Sequence, residues 1–365
     1  ADFIIEGYVD PQEELIYEGP FGDHTGFYSL ADYYPKFHIT CITHKKNAVY
    51  PATIVGIPPQ EDAWLGKATE RIFLNPIKMA IAPEIIDIEM PVEGVFHNMV
   101  ITKIKKTYAG QALKVMNALW GAGQMMFTKV LVVVDENVDI RNYESLAKVI
   151  SENVDPMRDF HLSEGPLDVL DHSSNQFTFG GKLGIDATIK LKEEQKTIES
   201  DTKNVEDNKI DIKNIYEELP EICDINLNLL SRDISIAVIT IKKKSKFHIK
   251  EINNLLFKNY FKNIKMIIYL DYKVEDNGDI FWLTLNNIDT FRDCYIVESD
   301  EYKISHIGID ATIKTKEIDG FEREWPEIIV TDNETIKLVD KKWDKYNLGK
   351  FIQSPSIKYQ NYRIL

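Results

Sequence analysis

This sequence has few cysteines, no long apolar run and no excess of positive charge. Its 365 residues contain three cysteines, Cys41, Cys223 and Cys294, which lie far apart and lack the spacing of a metal site. This usage is typical of a reducing compartment, so we expect a cytoplasmic protein. No stretch approaches the roughly 18 apolar residues of a membrane helix, and the first residues do not have the pattern of a signal peptide. The net charge of −15 argues against a general nucleic-acid binder, because neutralising phosphates requires clustered lysine and arginine.

An initiating methionine is also missing. The chain begins with "ADFIIEGYVD", whose alternating apolar residues predict a strand already inside a sheet. We therefore expect a domain to precede Ala1 in the natural protein, with removal of a short leader as the alternative.

β-Structure is predicted for residues 1–60. The runs "DFIIEGYV" and "FHITCITH" are rich in β-branched and aromatic residues, and "AVYPATIVGIPP" has prolines of the kind that mark strand ends. These runs predict part of a barrel or sandwich. Residues 61–82 predict a helix, since Glu61 and Asp62 near its start suit the helix dipole.

From residue 83 onward, strands and helices are predicted to alternate. The strand segments are "VFHNMVITKI", "KVLVVV" and "DPMRDFHL". The helical segments are "AGQALKVMNALWGAGQMM", whose helix should end near the glycines, and "NYESLAKVISENV". "KVLVVV" is apolar throughout, as expected for a strand buried on both faces. Asp135 closes this strand, where we expect a turn or cap residue, and a polar, glycine-rich stretch covers residues 163–190. The lysine runs at 105 and 242 are predicted to be solvated strand ends.

The segment "GIDATIK" occurs twice, at residues 184–190 and 308–314. Four upstream pairs keep the same order: "PEIIDI" with "PEICDI", "VITKIKK" with "VITIKKK", "KVLVVVD" with "KMIIYLD", and "DPMRD" with "DTFRD". This pattern predicts a duplicated α/β domain, with copies at residues 83–191 (the first repeat) and 218–316 (the second repeat).

The regions around the repeats differ in composition. Residues 192–217 are charged, have few aliphatic residues and predict a linker, and residues 317–365 are taken as a C-terminal tail. The first repeat contains "WGAGQMMF" and "GPLDVLDHSSNQFTFGG". The second has "FKNYFKN" in place of the former and lacks most of the latter. We therefore expect the second repeat to be a scaffold whose site has decayed.

Four motifs, "EGPFGDHTGFY", "PATIVGIPPQEDAWLGKATERIF", "GPLDVLDHSS" and "GIDATIK…FEREWPE", resemble the UbiD family of aromatic and α,β-unsaturated acid decarboxylases. The resemblance covers about residues 1–191 and resumes at about 307–330, and the second repeat departs from the usual family pattern. It implies an α/β fold with a partial split β-barrel (flavin reductase-like) at residues 1–82, followed by two related α/β domains. It also implies prenylated FMN, with Mn²⁺ or Mg²⁺ and K⁺. Their main ligands, like the arginine of the family's acid–arginine–acid network, would lie upstream of this chain.

The resemblance assigns Glu18 and Asp23 of "EGPFGD" to the active site. A shielded carboxyl group can deliver the proton that replaces departing CO₂, and a second carboxylate can orient it. Gly19, Pro20 and Gly22 allow a tight bend between the two acids. His24 could shuttle protons. The alternative is a hairpin loop whose acids are solvated and whose histidine only makes a local hydrogen bond.

Further candidates are weaker. Glu6 could support the site from its strand, although a strand acid facing water is an equal alternative. Residues that could line a substrate pocket are Leu65, Met125, Met126 and Leu167, and such methionines are more often core. The "DHSS" run at residues 171–174 resembles a nucleophile cluster, but no Gly-x-Ser-x-Gly elbow accompanies it, so we expect it to cap a loop.

We therefore predict a non-oxidative decarboxylase of an aromatic acid in quinone biosynthesis, such as a polyprenyl-hydroxybenzoate or a menaquinone precursor. A flavin prenyltransferase would supply the cofactor, a homo-oligomer is expected, and a lipid-tailed substrate would bring the enzyme near a membrane surface. A non-catalytic assembly portion of such an enzyme is the alternative. A flavin oxidoreductase is a third possibility, but hydride transfer does not need the acid pair. The chain alone is expected to be inactive and prone to aggregation through exposed strand edges.

Overall fold

Strands and helices follow each other through residues 1–195, 210–298 and 305–362, the part of the chain that the computed structural model describes. They group into two units: Ala1–Trp64 with Pro326–Leu365 form the smaller one, and Leu65–Trp325 form the larger one.

The smaller unit contains two antiparallel sheets of two strands each, β1 with β4 and β2 with β3. Their strands are β1 (Phe3–Tyr8), β2 (Ile16–Glu18), β3 (Asp32–Tyr34) and β4 (His38–His44). β1 and β4 fall in the two runs predicted as strands, which confirms those predictions. Residues 48–60 contain no strand, so that prediction is wrong. Pro51, Pro58 and Pro59 lack the N–H groups that a ladder needs. The described residues form no closed barrel.

Helix α1 (Glu61–Ala80) confirms the helix predicted at residues 61–82. Glu61 and Asp62 lie in its first turn and Lys78 in its last, an arrangement that the helix dipole favours.

The larger unit contains two five-stranded mixed sheets with matching strand orders, β5-β6-β7-β9-β8 and β10-β11-β12-β14-β13. In each sheet the outer pairs are antiparallel and the inner pairs are parallel. The α/β class is therefore confirmed. The elements of the first repeat are β5 (Ile85–Glu89), β6 (Met99–Ile104), α2 (Gln111–Trp120), β7 (Val130–Asp135), α3 (Tyr143–Asn153), α4 (Pro156–Asp159), β8 (Phe160–Pro166) and β9 (Phe179–Asp186). After them come α5 (Ile212–Glu218), β10 (Ile222–Asn226), β11 (Ile236–Ile241), α6 (His248–Asn259), β12 (Met266–Leu270), α7 (Asn277–Asn287), α8 (Thr290–Asp293), β13 (Cys294–Glu298), β14 (Ser305–Asp310) and α9 (Lys316–Asp319).

One amphipathic helix packs on each sheet. In α2 the residues Ala112, Val115, Met116 and Leu119 follow helical spacing and are fully buried in the core of the first repeat. In α6 a similar apolar face belongs to the core of the second repeat. The central strand β7 is buried along nearly its whole length, as its apolar sequence predicted.

Several boundaries differ from the predictions. The helix predicted in "AGQALKVMNALWGAGQMM" ends at Trp120, directly before Gly121, which confirms its predicted end near the glycines; a 3₁₀ turn at Gly123–Phe127 follows it. The strand predicted in "DPMRDFHL" begins only at Phe160, because Asp155 accepts hydrogen bonds from the first N–H groups of a short helix, α4. The polar stretch at residues 163–190 contains β9, a strand that is almost wholly buried. The sequence did not indicate this strand because glycine is uncommon in strands. Gly181 and Gly184 are needed here because a β-carbon at either position would collide with neighbouring atoms.

The two repeats contact each other through two matched hydrogen bonds. In each bond, an aspartate of one repeat accepts from a residue of the other. Asp289 of the second repeat accepts a hydrogen bond from the backbone N–H of Gly181 at 3.2 Å. Asp155 of the first repeat accepts one from the hydroxyl of Ser305 at 2.6 Å. Asp155 matches Asp289 in the sequence repeat, and Gly181 matches Ser305. The contact is thus close to a two-fold arrangement within one chain.

The chain ends in the smaller unit with α10 (Asn333–Tyr346) and α11 (Ser356–Tyr359). Most of the predicted linker, residues 196–209, lies outside the described residues, and α5 occupies the end of it.

Candidate active site

The acid loop, residues 18–31, connects β2 to β3 in the smaller unit. Glu18 is the last residue of β2, is exposed, and stands opposite Asp32 in the strand register. Like charges that face each other across a strand pair repel, so the base of the loop would be stabilised by a nearby cation. Asp32 was not among the residues that the sequence singled out.

Asp23 and His24 lie within hydrogen-bond distance of each other in the loop. The Nδ1 atom of His24 lies 3.0 Å from Oδ1 of Asp23, and both side chains are partly buried. The same Asp23 oxygen accepts a hydrogen bond from the backbone N–H of His24 at 2.7 Å. The imidazole of His24 is therefore held against the carboxylate of Asp23 at two points, through its ring and through its backbone.

Asp62 is a third titratable group beside this pair. Burial raises the pKa of Asp62, the charge of His24 lowers it, and the charge of Asp23 raises it further. Sequence reasoning placed Asp62 only at the helix dipole. Its position two residues after the "PPQ" run, inside a family motif, was the available signal.

A second segment fixes the acid loop. The backbone N–H of Tyr28 donates to the carbonyl of Glu327 at 2.9 Å, and that of Ile329 donates to the carbonyl of Gly26 at 2.8 Å. Gly26 has a φ of 85°, a conformation that a residue with a β-carbon rarely adopts. The "FEREWPE" motif therefore leads directly into the residues that hold the loop.

The supporting candidate Glu6 lies in β1, is exposed, and accepts a hydrogen bond at its carbonyl from the hydroxyl of Thr40 at 3.2 Å. The predicted pocket residues lie in the larger unit. Leu65 is 60% exposed on α1, whereas Leu167 is buried. Met125 belongs to the core of the first repeat and Met126 is half-buried beside it. Their assignment to a substrate pocket stays a prediction.

The "DHSS" run forms a buried network, as expected for a loop cap. Asp171 accepts hydrogen bonds from the backbone N–H groups of Ser173 and Ser174, and its other oxygen lies 2.6 Å from Nζ of Lys129. Burial opposes ionisation of Asp171, but Lys129 outweighs it and lowers the pKa of this carboxyl to about 2. Lys129 also donates to the carbonyl of Ile288 in the second repeat at 3.0 Å. The network therefore joins the two repeats.

The "FEREWPE" motif reaches the same network. Arg323 donates to the carbonyls of Ser174 at 2.8 Å and Asp171 at 3.1 Å. Trp325 packs edge-on against His172, and burial lowers the pKa of His172 to about 3. So weakly basic an imidazole is a poor acceptor for a nucleophile's proton, which supports a structural role for His172.

The ends of the parallel strands carry caps and buried ion pairs. Asp135 accepts a hydrogen bond from the backbone N–H of Ile189 at 2.7 Å, so its predicted role as a cap is confirmed. The prediction that both lysine runs are solvated is wrong for one lysine of each run. Lys106 lies 2.6 Å from Glu194, and Lys243 lies 2.7 Å from Asp310. A solvated lysine and a buried, paired one look alike in sequence when the acid lies far along the chain.

Among the described residues, no group of three or more His, Cys, Asp or Glu side chains could hold a metal ion. The described ranges also contain no helix that is both long and apolar enough to cross a membrane.

Sequence models of one family match two parts of the chain. The 3-octaprenyl-4-hydroxybenzoate carboxy-lyase Rift-related domain matches residues 1–58, and the C-terminal domain of the same carboxy-lyase matches residues 63–187. Together the matches span just over half of the sequence. The chain belongs to the UbiD family, as its motifs predicted.

Curated relatives are similar over different lengths. A protein of Archaeoglobus fulgidus is 54% identical over 195 residues, which are 53% of this chain and 40% of the relative. A protein of Helicobacter pylori strain J99 is 36% identical over 346 residues, which are 94% of this chain and 53% of the relative. The chain spans about half the length of these relatives, and the longer match includes most of the second repeat.

Solved structures of related enzymes are also similar. Vanillic acid decarboxylase of Sedimentibacter hydroxybenzoicus, in its closed form, is 28% identical, with a TM-score of 0.50 over 60% of this chain and 45% of that chain. The UbiD-class enzyme HmfF of Pelotomaculum thermopropionicum, in complex with FMN, is 27% identical, with a TM-score of 0.45 over 54% of this chain and 44% of that chain.

Proposed function

We propose that this chain is part of a decarboxylase that removes CO₂ from an aromatic carboxylic acid with the help of prenylated FMN. The observation that carries the proposal is the acid loop. It lies in the segment that matches the carboxy-lyase family and holds Asp23 and His24 3.0 Å apart, beside Asp62. Groups that can hold and pass a proton are what the second half of a decarboxylation requires.

The proposed role of the loop is proton delivery. The bond between the ring carbon and the carboxylate breaks, CO₂ leaves, and a carboxyl proton of Glu18 or Asp23 forms the new C–H bond. That carboxylate then regains a proton from water, and His24 is placed to pass it to Oδ1 of Asp23. The net change is one proton consumed and one CO₂ released.

When bound, prenylated FMN would supply the electrophilic centre that takes up the electron pair left by CO₂. The repulsion between Glu18 and Asp32 fits a neighbouring cationic group at this end of the loop, which the family arginine would provide. The described residues offer no metal cluster, so a role for Mn²⁺, Mg²⁺ or K⁺ depends on residues outside them.

Other parts of the proposal rest on family resemblance. We propose residues 1–82 as part of a split β-barrel with its linking helix, residues 192–217 as a linker and residues 317–365 as a tail. The substrate would be a polyprenyl-hydroxybenzoate or a menaquinone precursor of quinone biosynthesis, and a flavin prenyltransferase would supply the cofactor to a cytoplasmic homo-oligomer.

We also propose that residues 83–191 and 218–316 arose by duplication. Their matching strand orders and the exchanged contacts of Asp155 and Asp289 support this. The second candidate function is that of a non-catalytic assembly portion of such an enzyme. The second repeat, which lacks the "DHSS" sequence of the first, would extend an interface with partner subunits.

The test uses the protein at its natural length, co-expressed with a flavin prenyltransferase. The variants are Glu18→Gln and a matched control, Glu14→Gln, which changes an exposed acid outside the acid loop. We expect all three proteins to show flavin absorbance, while CO₂ release from 4-hydroxybenzoate-type acids falls by about 100-fold or more in Glu18→Gln alone. Equal CO₂ release by both variants would mean that the acid loop only connects two strands, and it would favour the assembly function.

A further inference from the structure

A cavity of about 360 Å³ is lined by residues of both repeats. This volume falls in the range of small-molecule sites. Its lining comes from both repeats and is mostly polar; the residues used below are Ser151, Asp155, Arg158, Lys265, Ser305 and His306.

Lys265 in this cavity is the counterpart of Lys129. Each lysine directly precedes the central strand of its sheet, β12 or β7, within the matched segments "KMIIYLD" and "KVLVVVD". Each also donates from Nζ to a carbonyl near the C-terminal end of a helix in the other repeat. Lys129 reaches Ile288 after α7, and Lys265 reaches Ser151 in α3.

The two lysines differ in their counter-charge. Lys129 has Asp171 at 2.6 Å, supplied by the loop between β8 and β9. The second repeat lacks the "DHSS" sequence, and no carboxylate of the described residues forms an ion pair with Lys265. Burial lowers the pKa of Lys265, whereas Asp155, Asp159 and Glu152 raise it from a distance. An anion in the cavity could therefore accept hydrogen bonds from the partly buried ammonium group of Lys265, which has three N–H donors and gives one to Ser151.

Arg158 provides a second donor. It donates to Asp159 through Nε and Nη2, which leaves the N–H groups of Nη1 without a contact in the described structure. The acid that lines the cavity, Asp155, is already engaged by the hydroxyl of Ser305 and by two backbone N–H groups of α4. His306 donates from Nδ1 to the carbonyl of Ile264 at 2.7 Å, and burial lowers the pKa of His306.

We propose that this cavity binds a small carboxylate, which takes the position relative to Lys265 that the Asp171 carboxylate takes relative to Lys129. The expected contacts are Nζ of Lys265 and Nη1 of Arg158. The site is separate from the acid loop and does not depend on the flavin or on decarboxylase activity.

The experiment follows lysine reactivity in the unmodified full-length protein, with sodium acetate as the probe. Acetic anhydride labelling is measured by mass spectrometry at Lys265 and at Lys250, an exposed lysine of α6. Saturating acetate should slow labelling of Lys265 by about tenfold, the effect of a one-unit rise in its pKa, and leave Lys250 unchanged relative to chloride at equal ionic strength. Equal slowing at both lysines, or none at either, would overturn the proposal.

Two further measurements test the same site, one of thermal stability and one with a second anion. Acetate should raise the thermal midpoint of the wild type and of Lys250→Met but not of Lys265→Met, so a shift that persists in Lys265→Met would contradict the site. Inorganic phosphate is compared at the same ionic strength. Protection by phosphate and none by acetate would overturn the assignment to carboxylates.

Discussion

In the first repeat, Lys129 lies 2.6 Å from Asp171 within a buried network; in the second repeat, Lys265 at the matching position donates to a backbone carbonyl beside a cavity. The strand orders of the two sheets are the same. The comparison shows that a strand order can be kept in a repeat that lacks the "DHSS" sequence. The loop of the first repeat therefore contributes local stability and contact between repeats, rather than the fold of the sheet.

The largest expected difference follows from removing either lysine. Lys129→Met leaves Asp171 buried without its counter-ion, which should lower the free energy of unfolding by about 3–5 kcal/mol. Lys265→Met removes one hydrogen bond to a carbonyl and should cost about 1 kcal/mol. Urea unfolding of both variants measures this, and equal losses would mean that the two sites are alike after all.

The repeated "GIDATIK" segment offers a matched pair of glycines. A β-carbon at Gly308 would lie 2.0 Å from Oδ1 of Asn253, which is buried and bonded to Tyr269, whereas one at Gly184 would meet the flexible thioether of Met116 at 2.5 Å. Gly308→Ala should cost about 3 kcal/mol and Gly184→Ala about 1 kcal/mol. Chemical unfolding tests the order, and a larger loss for Gly184→Ala would contradict it.

The third comparison concerns how the stability of the protein depends on pH at two matched aspartates, Asp271 and Asp135. Burial raises the pKa of Asp271 to about 6, from 3.8. Since the folded state holds this proton more tightly, its contribution to stability is present below about pH 4 and is lost as the pH rises through 6. Asp271→Asn should therefore gain stability relative to the wild type across this window. Thermal midpoints between pH 4 and 7 measure it. The pKa of the matching Asp135 is also raised by burial, so Asp135→Asn should behave with the same sign, and an opposite slope would refute the account.

The smallest effect is expected at the two short helices. Asp155 and Asp289 each accept backbone N–H groups at the start of α4 and α8, and each also contacts the other repeat. Asp155→Ala and Asp289→Ala should each cost about 1–2 kcal/mol, and similarly to one another. A difference of several kcal/mol between them in urea unfolding would break the near two-fold relation.

The parts of the fold that follow local pattern were predictable. Helix α1 follows from its local sequence pattern, and strand β7 follows from an apolar run. Strand β9 was not predictable, because Gly181 and Gly184 are required by close neighbours from elsewhere in the chain. The buried pairs Lys106–Glu194 and Lys243–Asp310 were missed for the same reason: their partners are distant in sequence. At the candidate site, the motif indicated Glu18, Asp23 and His24, but the proximity of Asp62 depends on how the loop folds back on α1.

The exchanged contacts between the repeats have a consequence for how the chain is held together. Asp155, Asp289, Lys129 and Lys265 each reach across to the other repeat, so the association does not depend on the peptide that joins them. A protease site engineered within residues 196–209 should therefore yield, after cleavage, two fragments that elute together and separate only in denaturant. In genetic terms, the second repeat could be supplied from a separate reading frame and still assemble.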